Sequence, residues 1–184
     1  MARISARTLF LLPVAGFVVL GIIFTIALMT NLSGTAKIDP LPSILAGKPA
    51  PELPSQRLEG TGADMSDPLS AYAGRPVLIN FMASWCAPCR AEIPALETLS
   101  DELVIIAIAY KDKEADLRQF LDEYGNPYAS VWMDTDGAIG RRWGIYGVPE
   151  SFLLDGDGIV KLRHAGPVFS DVINDILIPA LEQM

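Results

Sequence analysis

The segment Trp85-Cys86-Ala87-Pro88-Cys89 follows the run Pro76-Val77-Leu78-Ile79-Asn80-Phe81-Met82, apolar apart from Asn80. A short run of this kind reads as a buried central strand. The residues beyond it, through Ala91-Glu92-Ile93-Pro94-Ala95-Leu96-Glu97-Thr98-Leu99, read as a helix that Pro94 should kink. The two cysteines are thus expected where a buried strand hands over to a helix N-terminus. Unpaired N–H groups and a partial positive charge at that point stabilise a thiolate, the reactive form in disulfide exchange. Cys86, at the start, is the expected exposed attacking thiol. Cys89, one turn in, is expected to be buried and to resolve the mixed disulfide.

These are the only two cysteines in 184 residues. A bridge between them closes a tiny loop and removes little entropy from the unfolded chain, so the pair is there for chemistry or for a metal. A structural zinc site needs four ligands, and the only histidine is His164. A paired-cysteine copper carrier also needs a nearby histidine. Covalent haem attachment needs histidine directly after the second cysteine, where Arg90 stands. No metal and no cofactor beyond the Cys86–Cys89 pair is therefore expected, although a non-catalytic metallochaperone stays open as a rival reading.

Residues Leu9 to Met29 form a 21-residue run without charge, interrupted only by Pro13, Gly16, Gly21 and Thr25. As a helix it would span roughly 30 Å, the hydrocarbon thickness of a bilayer. Arg3 and Arg7 precede it and Asp39 is the first acid after it, which places residues 1–8 in the cytoplasm and the body of the chain across the membrane. A cleaved signal peptide would have a shorter apolar region and a clearer small-x-small site than Asn31-Leu32-Ser33-Gly34-Thr35-Ala36 offers. The sequence favours a retained transmembrane anchor over 9–29. Either way the remainder is exported to an oxidising compartment.

Residues 30–46 read as a proline-bearing linker, and Gly47-Lys48-Pro49-Ala50-Pro51 opens a folded domain over 47–184 in extended form. The chain carries 14 Lys+Arg and 22 Asp+Glu. With Arg3 and Arg7 set aside, 12 basic residues stand against 22 acidic ones, and a domain this acidic repels nucleic acid. Val104-Ile105-Ile106-Ala107-Ile108-Ala109 reads as a second buried strand. Leu117, Phe120, Leu121 and Tyr124 have the spacing of an amphipathic helix. Ser151-Phe152-Leu153-Leu154 and Ile159-Val160-Lys161-Leu162-Arg163 read as strands joined by the turn Asp155-Gly156-Asp157-Gly158. Phe169, Val172, Ile173 and Ile176 begin a C-terminal helix. Periodicity establishes an α/β class. By analogy of topology, the order β-α-β-α-β-β-α on a mixed sheet is the thioredoxin arrangement.

Taken together, Trp85-Cys86-Ala87-Pro88-Cys89, Gly125-Asn126-Pro127-Tyr128 and Tyr146-Gly147-Val148-Pro149-Glu150-Ser151-Phe152 resemble the thiol:disulfide interchange proteins of cytochrome c biogenesis, the CcmG/DsbE family. The resemblance runs from about Leu41 to the C-terminus, and the anchor matches as well. It implies a thioredoxin-like fold and a cis peptide bond before Pro149, which would leave the backbone of Val148 open to a partner peptide. It also implies that Glu92, Glu150 and Tyr146 line an acidic groove around the cysteines, beside Trp85 and Pro88. Carboxylates there would raise the thiol pKa and exchange its proton. General thioredoxins place an aspartate where Asn80 stands. Asn cannot titrate, so Glu92 is the expected substitute.

The implied activity is reduction of the haem-site cysteines of apocytochrome c, or of a thiol protein that handles them (a haem-lyase component), with electrons from a DsbD/CcdA-type membrane donor. The implied location is the periplasmic face of a bacterial inner membrane. An anchored thioredoxin for copper-site assembly in oxidases is a related alternative. Gly47-Lys48-Pro49-Ala50-Pro51 hints at a peroxiredoxin, but the Thr-x-x-Cys that enzyme needs is absent. His164 reads as a surface or packing residue, and Trp132 and Trp143 as core or rim aromatics.

Overall fold

A computed structural model describes residues 16–26, 44–62 and 69–184. Residues 16–26 are helical, and among the described residues no helix is long and apolar enough to cross a membrane. The ends of the run 9–29 and most of the linker 30–46 lie outside the described residues.

The folded body is built on five strands: β1 (Val77–Met82), β2 (Val104–Tyr110), β3 (Ser130–Asp134), β4 (Glu150–Leu154) and β5 (Val160–Ala165). Their order is β3-β2-β1-β4-β5. The β1–β2 and β2–β3 pairs are parallel, and the β1–β4 and β4–β5 pairs antiparallel. Three helices connect them: α1 (Ala87–Ser100), α2 (Glu114–Tyr124) and α3 (Ala138–Trp143). A C-terminal helical segment follows, with an α turn at Ser170–Val172, a π turn at Ile173–Leu177 and an α turn at Ile178–Leu181.

Strand periodicity divides the core in two. Leu78 and Met82 of β1 pack with Cys89, Ile93 and Leu96 of α1, with Leu117 and Phe120 of α2, and with Leu177. Val77, Ile79 and Phe81 face the opposite layer, where Trp132, Trp143 and Phe152 lie. Phe81, Trp143 and Phe152 meet edge to face, at centroid separations of 5.0–5.8 Å. Every residue of β1 is buried, as a central strand covered on both faces requires.

Two elements lie beyond the expected order. The strand Ser130–Asp134 and the short helix Ala138–Trp143 are inserted between α2 and the β4–β5 hairpin. Among the described residues, Leu45 is already buried against the domain, and Gly47 donates its amide to the Val160 carbonyl. Helix α1 runs through Pro94 to Ser100. The hairpin turn lies where expected, with the Asp155 carboxylate accepting from the amides of Asp157 and Ile159.

Candidate active site

Because β1 ends at Met82 and α1 begins at Ala87, Cys86 falls at the helix N-cap. Its backbone is extended (φ −92°, ψ 107°) and its sulfur accepts the Cys89 amide at 3.2 Å, one of the N–H groups a helix start leaves unpaired. Pro88 occupies the first turn, where its missing N–H costs nothing. Cys86 and Cys89 are joined as a disulfide. Cys89 is fully enclosed, whereas Cys86 retains 4% exposure. Cys86 is thus the more accessible sulfur, though far more covered than a freely exposed thiol. The reason lies across the sheet: the Val148 carbonyl oxygen is 3.5 Å from Cys86 Sγ. In the disulfide this is a contact. In the dithiol the S–H can donate to it.

The Val148–Pro149 peptide bond is cis, and the Pro149 carbonyl accepts from the Gly166 amide at 3.0 Å. On the opposite side, Trp85 is 60% exposed and donates its indole N–H to the Lys111 carbonyl at 3.3 Å. The carboxylate of Asp112 accepts from Ser84 N at 2.6 Å and Ser84 Oγ at 2.8 Å, tying the loop before the cysteines to the end of β2.

Glu92 stands one turn after Cys89 on the same face of α1, and it is completely buried. Its Oε1 accepts from Asn80 Nδ2 at 3.2 Å and its Oε2 from the Val168 amide at 2.8 Å. Burial raises its pKa from 4.5 to about 7, and the bonds from Val168 and Asn80 only partly oppose this. Asn80 also donates to Ser151 Oγ at 3.1 Å, and its Oδ1 accepts from the Tyr128 hydroxyl at 3.2 Å. Burial, then the nearby Glu92 charge, pushes the Tyr128 pKa well up, so the hydroxyl stays protonated and donates. Tyr128 therefore fixes which way the Asn80 amide points. The Asn80 N–H groups then face the carboxylate.

Glu150 departs from the expected open groove. It is 2% exposed, and both carboxylate oxygens are taken. Oε1 accepts from Tyr146 N at 2.6 Å and Gly147 N at 3.3 Å, and Oε2 from Arg163 Nε at 2.9 Å and Nη2 at 2.6 Å. Its charge is answered within the fold, because Arg163 reaches it diagonally across the β4–β5 hairpin. Glu92 likewise lies beneath the cysteines and lines no open groove. Tyr146 is 80% exposed, with the Arg163 guanidinium 4.5 Å from its ring centroid. His164 is buried, its Nε2 lying 3.3 Å from the Pro167 carbonyl, and burial lowers its pKa. Trp132 and Trp143 are core residues. Among the described residues, no group of three or more His, Cys, Asp or Glu side chains could hold a metal.

The structure thus brings Cys86, Cys89, Glu92, Val148 and Pro149 into one locus, flanked by Trp85 and Tyr146. Sequence reasoning missed Tyr128, Ser151, Val168, Asp112 and Arg163 as members of it. Chemically, a disulfide whose outer cysteine keeps a small opening to solvent can exchange with a partner's thiols. A buried carboxyl group that titrates near neutrality can hold or release a proton one turn from the inner sulfur.

A Redoxin family model matches residues 45–176. The DsbE thiol:disulfide interchange protein of Yersinia pestis is 36% identical over 95% of this chain and 93% of its own length. The DsbE homolog of Paracoccus denitrificans is 37% identical over 100% and 97%. The Rhizobium leguminosarum thiol:disulfide interchange protein CycY is 37% identical over 78% and 77%. Among solved structures, a DsbE crystal structure from Chlorobium tepidum superposes with a TM-score of 0.62, at 29% identity over 74% of this chain and 97% of that one. With a paired-cysteine helix start, a cis-proline strap and relatives matched almost end to end, this chain belongs to the DsbE family of thiol:disulfide interchange proteins and is a thiol–disulfide oxidoreductase.

Proposed function

We propose that the protein is a membrane-anchored periplasmic reductant in cytochrome c maturation, acting on the haem-site cysteines of apocytochrome c or on a thiol protein that handles them. The observation that carries this reading is the stacking of a nearly buried outer cysteine, a fully enclosed inner one and a buried carboxyl group at the start of α1, beneath the Val148 strap. Cys86, as thiolate, attacks a sulfur of the partner's disulfide. A mixed disulfide forms and one partner thiolate leaves. Cys89 gives its proton to Glu92 and attacks Cys86 Sγ. The intermolecular S–S bond breaks, the second partner thiolate leaves, and the Cys86–Cys89 disulfide remains. The partner has gained two electrons, and its thiolates take up protons from solvent.

Kinship with the DsbE and CycY proteins supports the choice of pathway. So does a chemical requirement: haem attaches only to free thiols, and an oxidising compartment removes them. Because each turnover leaves the pair oxidised, a DsbD/CcdA-type membrane donor would restore the dithiol. Anchoring is supported by the uncharged run 9–29 and by the exposed apolar side chains of residues 16–26, among them Phe17, Leu20 and Phe24.

The test is trapping in cells. Cys89→Ser should accumulate a mixed disulfide through Cys86, whereas Cys86→Ser should not. Mass spectrometry should identify the captured partner as an apocytochrome c or its thiol-handling protein. Capture by the Cys86→Ser variant instead would reverse the roles, and capture of a copper-assembly protein would overturn the pathway.

A further inference from the structure

We propose that Arg163 is a positioning residue for partner binding, holding the Tyr146–Pro149 strap and the Tyr146 ring in the shape that receives a partner peptide. The inference rests on the proposed function, together with the role that the family resemblance implies for the Val148 backbone as the surface a partner peptide meets. Its own basis is a set of contacts outside the cysteine chemistry. Arg163 is buried on β5, and its Nε and Nη2 converge on one oxygen of Glu150, at 2.9 and 2.6 Å. The other oxygen is thereby left to the amides of Tyr146 and Gly147. The carboxylate is a bridge, with the guanidinium at one end and the strap at the other.

A buried ion pair of this kind is weak support for stability, since desolvation offsets its attraction and apolar residues of similar volume would often serve as well. What the pair adds is geometry. The guanidinium lies 4.5 Å from the Tyr146 ring centroid and 5.7 Å from that of Phe152. An aromatic side chain that is 80% exposed has little else to orient it. With a cation against its ring, this exposed side chain is held two residues before Val148 in the strap. Lysine cannot reproduce this, because a single ammonium has neither the two-donor fork nor the flat face that stacks.

The test compares two disulfides with the full-length reduced protein: a disulfide-bridged peptide containing a Cys-x-x-Cys pair, and hydroxyethyl disulfide, which is too small to touch the strap. Arg163→Lys and Arg163→Met should slow reduction of the peptide about tenfold or more, mainly through KM, the scale expected when a charge-assisted contact is lost. Reduction of hydroxyethyl disulfide should change less than about twofold, well under that scale. Hydrogen exchange at the Tyr146 and Gly147 amides should quicken in both variants. Glu150→Gln/Arg163→Met removes both buried charges yet keeps an oxygen for the strap amides. It should fold normally and still lose the peptide selectively.

Equal losses on the two disulfides, or failure of all these variants to fold, would make Arg163 a purely structural residue and overturn the proposal. Unchanged peptide kinetics despite faster exchange would do the same. A wild-type protein with no preference for the peptide over hydroxyethyl disulfide would instead remove the underlying reading of the strap as a peptide site.

Discussion

Glu92→Gln gives a direct measure of what the buried carboxyl group does to the fold. Burial moves its pKa from 4.5 to about 7. In the folded protein the group therefore keeps its proton through a window where the unfolded chain has released it. The folded state binds more protons between those values, so this group's contribution to stability falls as pH rises through the window and is constant above it. At about 1.4 kcal/mol for each tenfold change in a proton equilibrium, ionised Glu92 costs the fold about 3 kcal/mol above pH 7 relative to the acid side of the window. Glutamine cannot ionise. Its amide oxygen can accept from Val168 or Asn80 but not both, a pH-independent loss of about 1–2 kcal/mol. The variant should therefore be less stable than wild type near pH 4.5 and overtake it near pH 8. The difference should swing by about 3 kcal/mol across the range, as expected from linkage. Urea unfolding of the oxidised protein at three pH values reads this directly, because disulfide-bonded cysteines do not titrate. Parallel stability curves for the two proteins would refute the argument.

In the reduced protein the same substitution should lower the apparent pKa of the Cys86 thiol, since it removes a negative charge that opposes the thiolate. The rate of alkylation against pH reports this, and an unchanged titration would remove Glu92 from the tuning of the pair. Tyr128→Phe takes from Asn80 Oδ1 the one hydrogen-bond donor it has among the described residues. It should cost about 1–2 kcal/mol in unfolding free energy with the overall fold intact, the range for a buried acceptor left unmade. An unshifted urea midpoint would show that Asn80 does not need the hydroxyl to orient it.

Much of the frame was legible because its signals are local. The apolar run Val77–Met82, the N-terminal position of Cys86 on α1 and the Asp155–Gly158 turn each depend on a few consecutive residues. The cis bond before Pro149 came from resemblance to a family and not from any periodicity. By contrast, Ser130–Asp134 is buried at every position, so no alternation marks it. Ala138–Trp143 is under two turns long and contains a glycine, too short to display a helical stripe. At the site, the spacing of Cys89 and Glu92 placed the acid on the right face of α1 but could not say that Val168 would cover it. The Arg163–Glu150 pair did leave a trace. Once the hairpin turn is located, register sets Arg163 opposite Phe152, diagonal to Glu150 on the same face, so opposite charges there were readable as partners.

The amide of Val168 reaches Glu92 from 76 residues further along the chain. That bond ties the state of the acid one turn from Cys89 to a segment that follows β5. A copy ending before Val168 would still carry Trp85 through Cys89 and all of α1. Its acid would have lost the Val168 amide, which lowers the pKa, together with cover that raises it, and because burial is the larger effect the carboxyl group would give up its proton at lower pH. Such a copy would pass inspection by its motif and fail by its proton. The stretch of sequence after β5, with no thiol of its own, thus helps to set the proton affinity of the buried acid one turn from the inner sulfur.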